Sequence, residues 1–166
     1  TRTEPLSFAS CQVLASGRRR VIPLADVSEA IEAREGLVWM EFNDPDKPTL
    51  ELLQKELNLH ELAVEDALSA HQRPKVEDYA GGLFVVLRTA RLWNNRIEYG
   101  ETHIFCGPAY LAIMRHDTGP GYDRVLDRLE AYDRPISTGL ALYALLDHIV
   151  DELRPLSARL EDRYAD

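Results

Sequence analysis

The chain has 166 residues, and its 28 acidic against 19 basic side chains give a formal charge of −9. About 45% of the residues are hydrophobic, as in a folded globular protein, and one domain is the natural expectation at this length. The acidic balance argues against nucleic acid as a partner, because a protein that follows a phosphate backbone needs clustered Lys and Arg.

The first half of the chain alternates short strands and helices. Cys11–Leu14 and Arg20–Leu24 flank a turn at Gly17, which predicts a β-hairpin. A short helix is predicted over Asp26–Arg34, and the compact apolar run Leu37–Phe42 has the length of a buried strand.

The next segment contains two helices and a set of strands. One helix is capped by Asp46 and stops near Asn58, and a second is predicted over His60–Ser69. Three β-type runs then predict an antiparallel meander: Leu83–Leu92, Arg96–Phe105 and Tyr110–Arg115.

The end of the chain is predicted to be helical. Tyr122–Tyr132 has helical spacing, and a longer helix begins after Ser137 or Thr138 and continues through Pro155, where we expect a kink. These elements predict an α/β domain over residues 1–152, with a mixed β-sheet sandwiched between helices. Residues 153–166 are predicted to be a truncated continuation of the last helix.

Membrane and secretion signals are not expected in this fragment. The longest apolar run, Ile104–Met114, is broken by glycine and proline and falls short of the roughly 20 residues needed to span a bilayer. The opening residues lack the pattern of a signal peptide, so a soluble fragment is expected. Cys11 and Cys106 are far apart and are predicted to be buried structural thiols.

The common enzyme motifs are incomplete in this sequence or absent from it. His60-Glu61 begins like the zinc-protease helix motif, but Val64 occupies the second ligand position. Phosphate-binding glycine loops and the nucleophile elbow are absent, and the five histidines are scattered. We therefore predict that the chain is not an enzyme.

Carboxylates on two predicted helices remain as candidate ligands. Glu65 and Asp66 lie on the His60–Ser69 helix, and Asp147 interrupts an apolar stretch of the last helix. Mg²⁺ prefers oxygen ligands and keeps several waters, so one or two carboxylates suffice to hold it. From spacing alone, a solvated helical face is the favoured explanation of these acids.

Two consecutive motifs resemble the CorA family of divalent-cation transporters. His60–Leu68 (HELAVEDAL) and His71–Glu77 (HQRPKVE) are similar to a block in the cytoplasmic domain of that family, and the likeness continues through Tyr143–Asp151 to the end of the chain. Arg73-Pro74-Lys75 is interpreted as a rigid turn whose basic side chains pair with nearby acids such as Glu77.

The resemblance implies a fold, an assembly and a role. CorA proteins are homopentamers whose cytoplasmic α/β domain leads through a long stalk helix into two transmembrane helices, so this chain corresponds to the domain at the cytoplasmic face of the inner membrane. Matched to the family's regulatory sites, Glu65, Asp66 and Asp147 are expected to contact Mg²⁺ at subunit interfaces. The opposing stalk aspartate of each site lies beyond Asp166.

The sequence leaves open two alternatives, one for the cation and one for the class of protein. Co²⁺ or Zn²⁺ are alternatives to Mg²⁺, because zinc-transporting relatives share the layout, although the three acids together favour the magnesium/cobalt branch. A stand-alone metal-dependent hydrolase or binding module is the alternative from a different class of protein.

Overall fold

A single mixed sheet is the centre of the fold. The structure, a computed structural model, describes residues 9–69, 71–79 and 81–165. Within these ranges the sheet contains seven strands: β1 (Ala9–Ala15), β2 (Arg18–Ile22), β3 (Leu37–Asn43), β4 (Lys75–Tyr79), β5 (Gly82–Trp93), β6 (Arg96–Gly107) and β7 (Tyr110–His116). Their order is β2-β1-β3-β7-β6-β5-β4, and only the β3–β7 pairing within this part of the chain is parallel. The predicted meander is confirmed as β5, β6 and β7.

Five α-helices accompany the sheet within the same ranges: α1 (Val27–Ala33, preceded by a 3-10 turn at Leu24–Asp26), α2 (Lys47–Leu57), α3 (Glu61–Leu68), α4 (Asp123–Glu130) and α5 (Thr138–Tyr164). Asp46 caps α2 by accepting the amide of Thr49 at 2.9 Å, and Ser137 caps α5 by accepting that of Leu140 at 3.1 Å. Helix α5 continues through Pro155, as predicted.

The sheet separates two hydrophobic cores. Alternate residues of β3 point to opposite faces, so Val38 and Met40 join one core while Leu37 and Trp39 join the other. Helices α1, α2 and α3 cover the first face, and α4 and α5 cover the second. The predicted α/β fold, a mixed sheet sandwiched between helices, is therefore confirmed.

The two cysteines are buried, one in each core, as the sequence predicted. Burial raises the pKa of both Cys11 and Cys106 to about 11, so both remain neutral thiols at neutral pH.

Among the described residues, no helix combines the length and apolar character needed to cross a bilayer. The opening segment, for which no signal peptide was expected, falls mostly on residues 1–8, outside the described residues. The division of the chain at residue 152 stays a prediction, since α5 runs across it without interruption.

Candidate functional site

Helix α3 carries two of the three predicted ligands and is short but well anchored. His60 caps it, with its Nδ1 atom accepting the amide of Leu62 at 3.2 Å, and the ring of His60 stacks on Tyr79 at 5.0 Å between centroids. Ala63, Val64 and Ala67 bury the opposite side against the sheet. The motif that begins like a zinc-protease helix is thus a helix N-terminus.

Asp66 is paired with a lysine from the neighbouring edge strand. Its Oδ2 atom accepts a hydrogen bond from Lys75 Nζ at 2.6 Å, and the same ammonium lies 2.8 Å from Oε1 of Glu77. All three side chains are partly exposed, at 26% for Lys75, 33% for Asp66 and 37% for Glu77. Lys75 therefore joins two carboxylates at the surface.

The hydrogen bonds of this group favour the charged forms of Lys75 and Glu77. The hydrogen bonds that Lys75 donates to Asp66 and Glu77 raise the pKa of its ammonium well above the ordinary value. The hydrogen bonds of Lys75 and of the Tyr79 hydroxyl to Glu77 lower the pKa of that carboxyl. Glu77 and Lys75 are thus both charged at neutral pH. Glu65, the neighbour of Asp66 in sequence, is exposed on the outer side of α3.

Asp147 forms a similar pair on α5. Its Oδ2 atom accepts a hydrogen bond from Arg128 Nη1 of α4 at 2.7 Å, and the Arg128 guanidinium lies 5.8 Å from the ring centroid of Tyr143. The side chain of Asp147 is 38% exposed. The carboxylate that interrupts the apolar pattern of the sequence thus lies beside the buried side of α5 and is neutralised by an arginine.

Asp66 and Asp147 lie on opposite faces of the sheet, because α3 packs in one core and α5 in the other. The two carboxylates of one chain therefore do not share a ligand. Within residues 9–69, 71–79 and 81–165, no three His, Cys, Asp or Glu side chains are grouped as a metal site would require. Carboxylate oxygens at the surface are nevertheless suitable donors for Mg²⁺, which takes few protein ligands and keeps its waters.

A buried glutamate on β6 fixes the loop between α3 and β4. Glu101 accepts the backbone amides of His71 and Gln72 at 2.8 and 3.1 Å, and it contacts Nε2 of the fully buried His103. Burial alone would raise the pKa of Glu101, but the hydrogen bonds from His103, Gln72 and His71 lower it below its ordinary value. Burial lowers the pKa of His103, so this ring is neutral at neutral pH.

His116, at the end of β7, holds the end of α3 against the sheet. Its Nε2 atom lies 3.1 Å from the carbonyl oxygen of Ala67, and its Nδ1 atom lies 2.9 Å from a carboxylate oxygen of Asp44. Two of the histidines that looked scattered in sequence, His103 and His116, therefore lie together behind α3, with their ring centroids 5.2 Å apart. Sequence reasoning missed this group because its members lie on separate strands and loops.

A second buried charge cluster lies on the face covered by α4 and α5. Arg115 Nε is 3.1 Å from Glu41 Oε1, and Arg115 Nη1 donates to Asp117 at 2.7 Å and to the carbonyl of Gly119 at 3.0 Å. Glu41 also accepts the amide of Tyr122 at 3.0 Å. Burial raises the pKa of Glu41 despite these partners. Because both members of the Arg115–Glu41 pair are almost fully buried, this cluster is structural.

The family model for "CorA-like Mg2+ transporter protein" matches residues 34–166, so the chain belongs to the CorA-like family. It is 32% identical over 127 residues to "Putative metal ion transporter YfjQ" of Bacillus subtilis, a match that covers 75% of this chain and 39% of that protein. It is 29% identical over 110 residues to "Cobalt/magnesium transport protein CorA" of Thermotoga maritima, covering 63% of this chain and 31% of that protein.

Solved structures share the fold. The full-length CmaX protein superposes with a TM-score of 0.73 at 18% identity, covering 95% of this chain and 49% of that one. The soluble domain of CorA from Methanocaldococcus jannaschii gives 0.67 at 17% identity, with 97% and 63% covered. The ZntB cytoplasmic domain from Vibrio parahaemolyticus gives 0.69 at 10% identity, with 94% and 62% covered. The fold is thus that of CorA-type cytoplasmic domains.

Proposed function

We propose that this chain is the cytoplasmic metal-sensing domain of a CorA-type magnesium and cobalt transporter, and that it acts in transport and not in catalysis. The chain spans 39% and 31% of the length of the two curated relatives it matches. The printed names of these relatives describe a metal ion transporter and a cobalt/magnesium transport protein. Identical subunits, five in the complete assembly, and divalent cations are the proposed partners.

The observation that carries the sensing role is the placement of Asp66 and Asp147. Each is a partly exposed carboxylate on a helix surface, on opposite faces of the sheet. In a ring of identical subunits, every subunit presents one surface to each of its two neighbours. Carboxylates on two opposite surfaces therefore suit contacts with both neighbours, and Glu65 extends the carboxylate surface beside Asp66.

Charge repulsion converts these contacts into a sensor. Facing carboxylates of two subunits repel each other when the cation is scarce, which loosens the interface. A bound divalent cation neutralises them and favours the tightly packed, closed arrangement. The shift of the equilibrium toward the closed arrangement is limited by the difference in cation affinity between the two arrangements. In this proposal the same divalent cation is both transported and regulatory.

Protection from proteolysis tests this proposal in the complete transporter. Mg²⁺ is expected to slow cleavage of the wild-type protein, and Asp66→Ala or Asp147→Ala is expected to weaken that protection. Glu61→Ala, on α3 one turn before Glu65, and Asp151→Ala, one turn after Asp147, are matched controls that also remove one exposed acid. Unchanged protection in both test variants would remove these residues from the sensing role.

Zinc transport is the second candidate, because the same fold is found in the ZntB cytoplasmic domain and does not by itself select a cation. Thermal stabilisation by Zn²⁺ with no response to millimolar Mg²⁺ would favour it. A stand-alone metal-dependent hydrolase or binding module would require a native reading frame without membrane spans.

A further inference from the structure

A cavity of about 530 Å³ lies between the connection from α2 to α3 and the neighbouring ends of strands β4 to β7. Cavities of about 300–1,000 Å³ are those in which proteins bind small molecules. Leu57, Leu59 and Ala63 form the helical side of the cavity. One chain forms all of it, so the cavity needs no neighbouring subunit, and the carboxylates of the proposed cation role do not line it.

Aromatic rings form the other side of the cavity. The rings of His60 and Tyr79 are stacked, and Phe105 and Tyr110 lie at the ends of β6 and β7 beside the same space. Gly107 makes room for Tyr110, because a Cβ atom at position 107 would overlap the tyrosine ring. A cavity with aliphatic groups on one side and flat rings on the other suits a flat apolar molecule.

Two of the lining residues have hydrogens to donate. Tyr110 is only 9% exposed, and its hydroxyl has no hydrogen-bond partner among the described residues. Burial raises the pKa of Tyr110, so the hydroxyl keeps its proton at neutral pH. Nδ1 of His60 accepts the amide of Leu62 at 3.2 Å, so the neutral ring carries its proton on Nε2. Because buried polar groups are almost always paired, the lone Tyr110 hydroxyl indicates a molecule that accepts from it.

The charges around the cavity favour a neutral ligand. None of the described residues that line it is a lysine, arginine, aspartate or glutamate. The Tyr79 hydroxyl donates to Glu77, so the nearby carboxylate already has a partner and lies outside the lining. A buried anion or cation would therefore find no opposite charge, and burying an unpaired charge is costly.

We propose that this cavity binds a neutral, flat aromatic molecule whose carbonyl oxygen accepts hydrogen bonds from Tyr110 and His60. The apolar ring of the ligand fills the space between the leucines and the aromatic rings, and the carbonyl supplies the partner that the buried hydroxyl lacks. Since His60 and Ala63 belong to the first turn of α3, the bound molecule joins the start of this helix to the end of the sheet.

The neutral naphthyl ketone Prodan is the probe, because its fluorescence moves to shorter wavelength in apolar surroundings. Both hydrophobic cores lie within the 166-residue chain, which is therefore titrated by itself, and circular dichroism checks the folding of each variant. Saturable binding with a shift to shorter wavelength is expected. Tyr110→Phe removes one hydrogen bond and is expected to raise the Kd about three- to tenfold.

Two further variants locate the bound probe. Tyr122→Phe is the matched control, since it also removes a buried hydroxyl but lies in the other core, and it is expected to leave the Kd unchanged. His60→Asn retains a side chain that caps α3 but loses the Nε2 donor, so weaker binding is expected. The same Kd in Tyr110→Phe, His60→Asn and Tyr122→Phe would overturn the proposal.

Competition against Prodan tests the chemical class of the ligand. Acetylnaphthalene is expected to displace the probe at about three- to tenfold lower concentration than ethylnaphthalene, which has the same rings but no hydrogen-bond acceptor. Naphthoate, which is negatively charged, is expected to compete more weakly than acetylnaphthalene. Tightest binding of naphthoate, equal binding of the two neutral compounds, or no saturable binding of Prodan to the wild type would contradict the proposal.

Discussion

The interior and the helix surfaces of this protein use charged residues in different ways. Buried Arg115 contacts Glu41, Asp117 and a backbone carbonyl, and buried Glu101 accepts two backbone amides and contacts His103. Asp66 and Asp147, by contrast, are partly exposed, and each carboxylate is hydrogen-bonded to a single lysine or arginine. A buried charge with several polar partners stabilises the fold. A partly exposed carboxylate with one ionic partner contributes little to stability and can take another cation in its place.

The largest effect on stability is expected at Arg115. Arg115→Leu leaves Glu41 buried without its cation, which typically costs about 3–5 kcal/mol of unfolding free energy. Urea unfolding at neutral pH measures this. The matched surface variant Asp66→Asn is expected to change the unfolding free energy by less than about 1 kcal/mol. Similar losses in the two variants would contradict the division between structural and exchangeable charges.

The second largest effect is expected from acidification, which lowers the free energy of unfolding through Glu101 and His103. Burial lowers the pKa of His103 from 6.5 in the folded chain, so stability falls as the pH drops below about 6.5 because the unfolded chain binds a proton more readily. The pKa of Glu101 is also lowered, from 4.5, so its contribution is present above that pH and is lost as the pH falls through the lower folded-state value.

Replacing Glu101 separates these two stages. Glu101→Gln weakens charge-assisted hydrogen bonds and is expected to cost about 1–3 kcal/mol at neutral pH. It is also expected to flatten the loss of stability below about pH 4.5 while the stage near pH 6.5 persists, as measured by urea unfolding across pH. If the unfolding free energy of Glu101→Gln fell below about pH 4.5 as steeply as that of the wild type, the ionised carboxylate of Glu101 would not be a source of stability.

Local signals made much of the fold predictable. Asp46, Asn58 and Ser137 mark helix ends through short-range hydrogen bonds or a left-handed backbone, and the structure confirms all three. Strand β4 was missed because Lys75–Tyr79 is short and strongly charged and follows a proline. Strand β4 belongs to the sheet because it pairs with β5. The residue pattern of a five-residue edge strand is too short to predict that pairing.

The candidate site was predictable only in part. The pairing of Lys75 with Glu77 followed from nearness in sequence and is confirmed. The pairs of Asp66 with Lys75 and of Asp147 with Arg128 join different elements, so their geometry depends on how the helices and strands pack. The placement of α3 and α5 on opposite faces likewise follows from strand order, which the sequence pattern leaves open.

Anomalous X-ray scattering from Co²⁺ in crystals of the complete transporter tests the central claim most directly. We expect cobalt peaks at subunit interfaces, in contact with the carboxylate of Asp66 from one subunit or with that of Asp147. Interface peaks that avoid both carboxylates, or interfaces free of cobalt at saturating concentration, would contradict it.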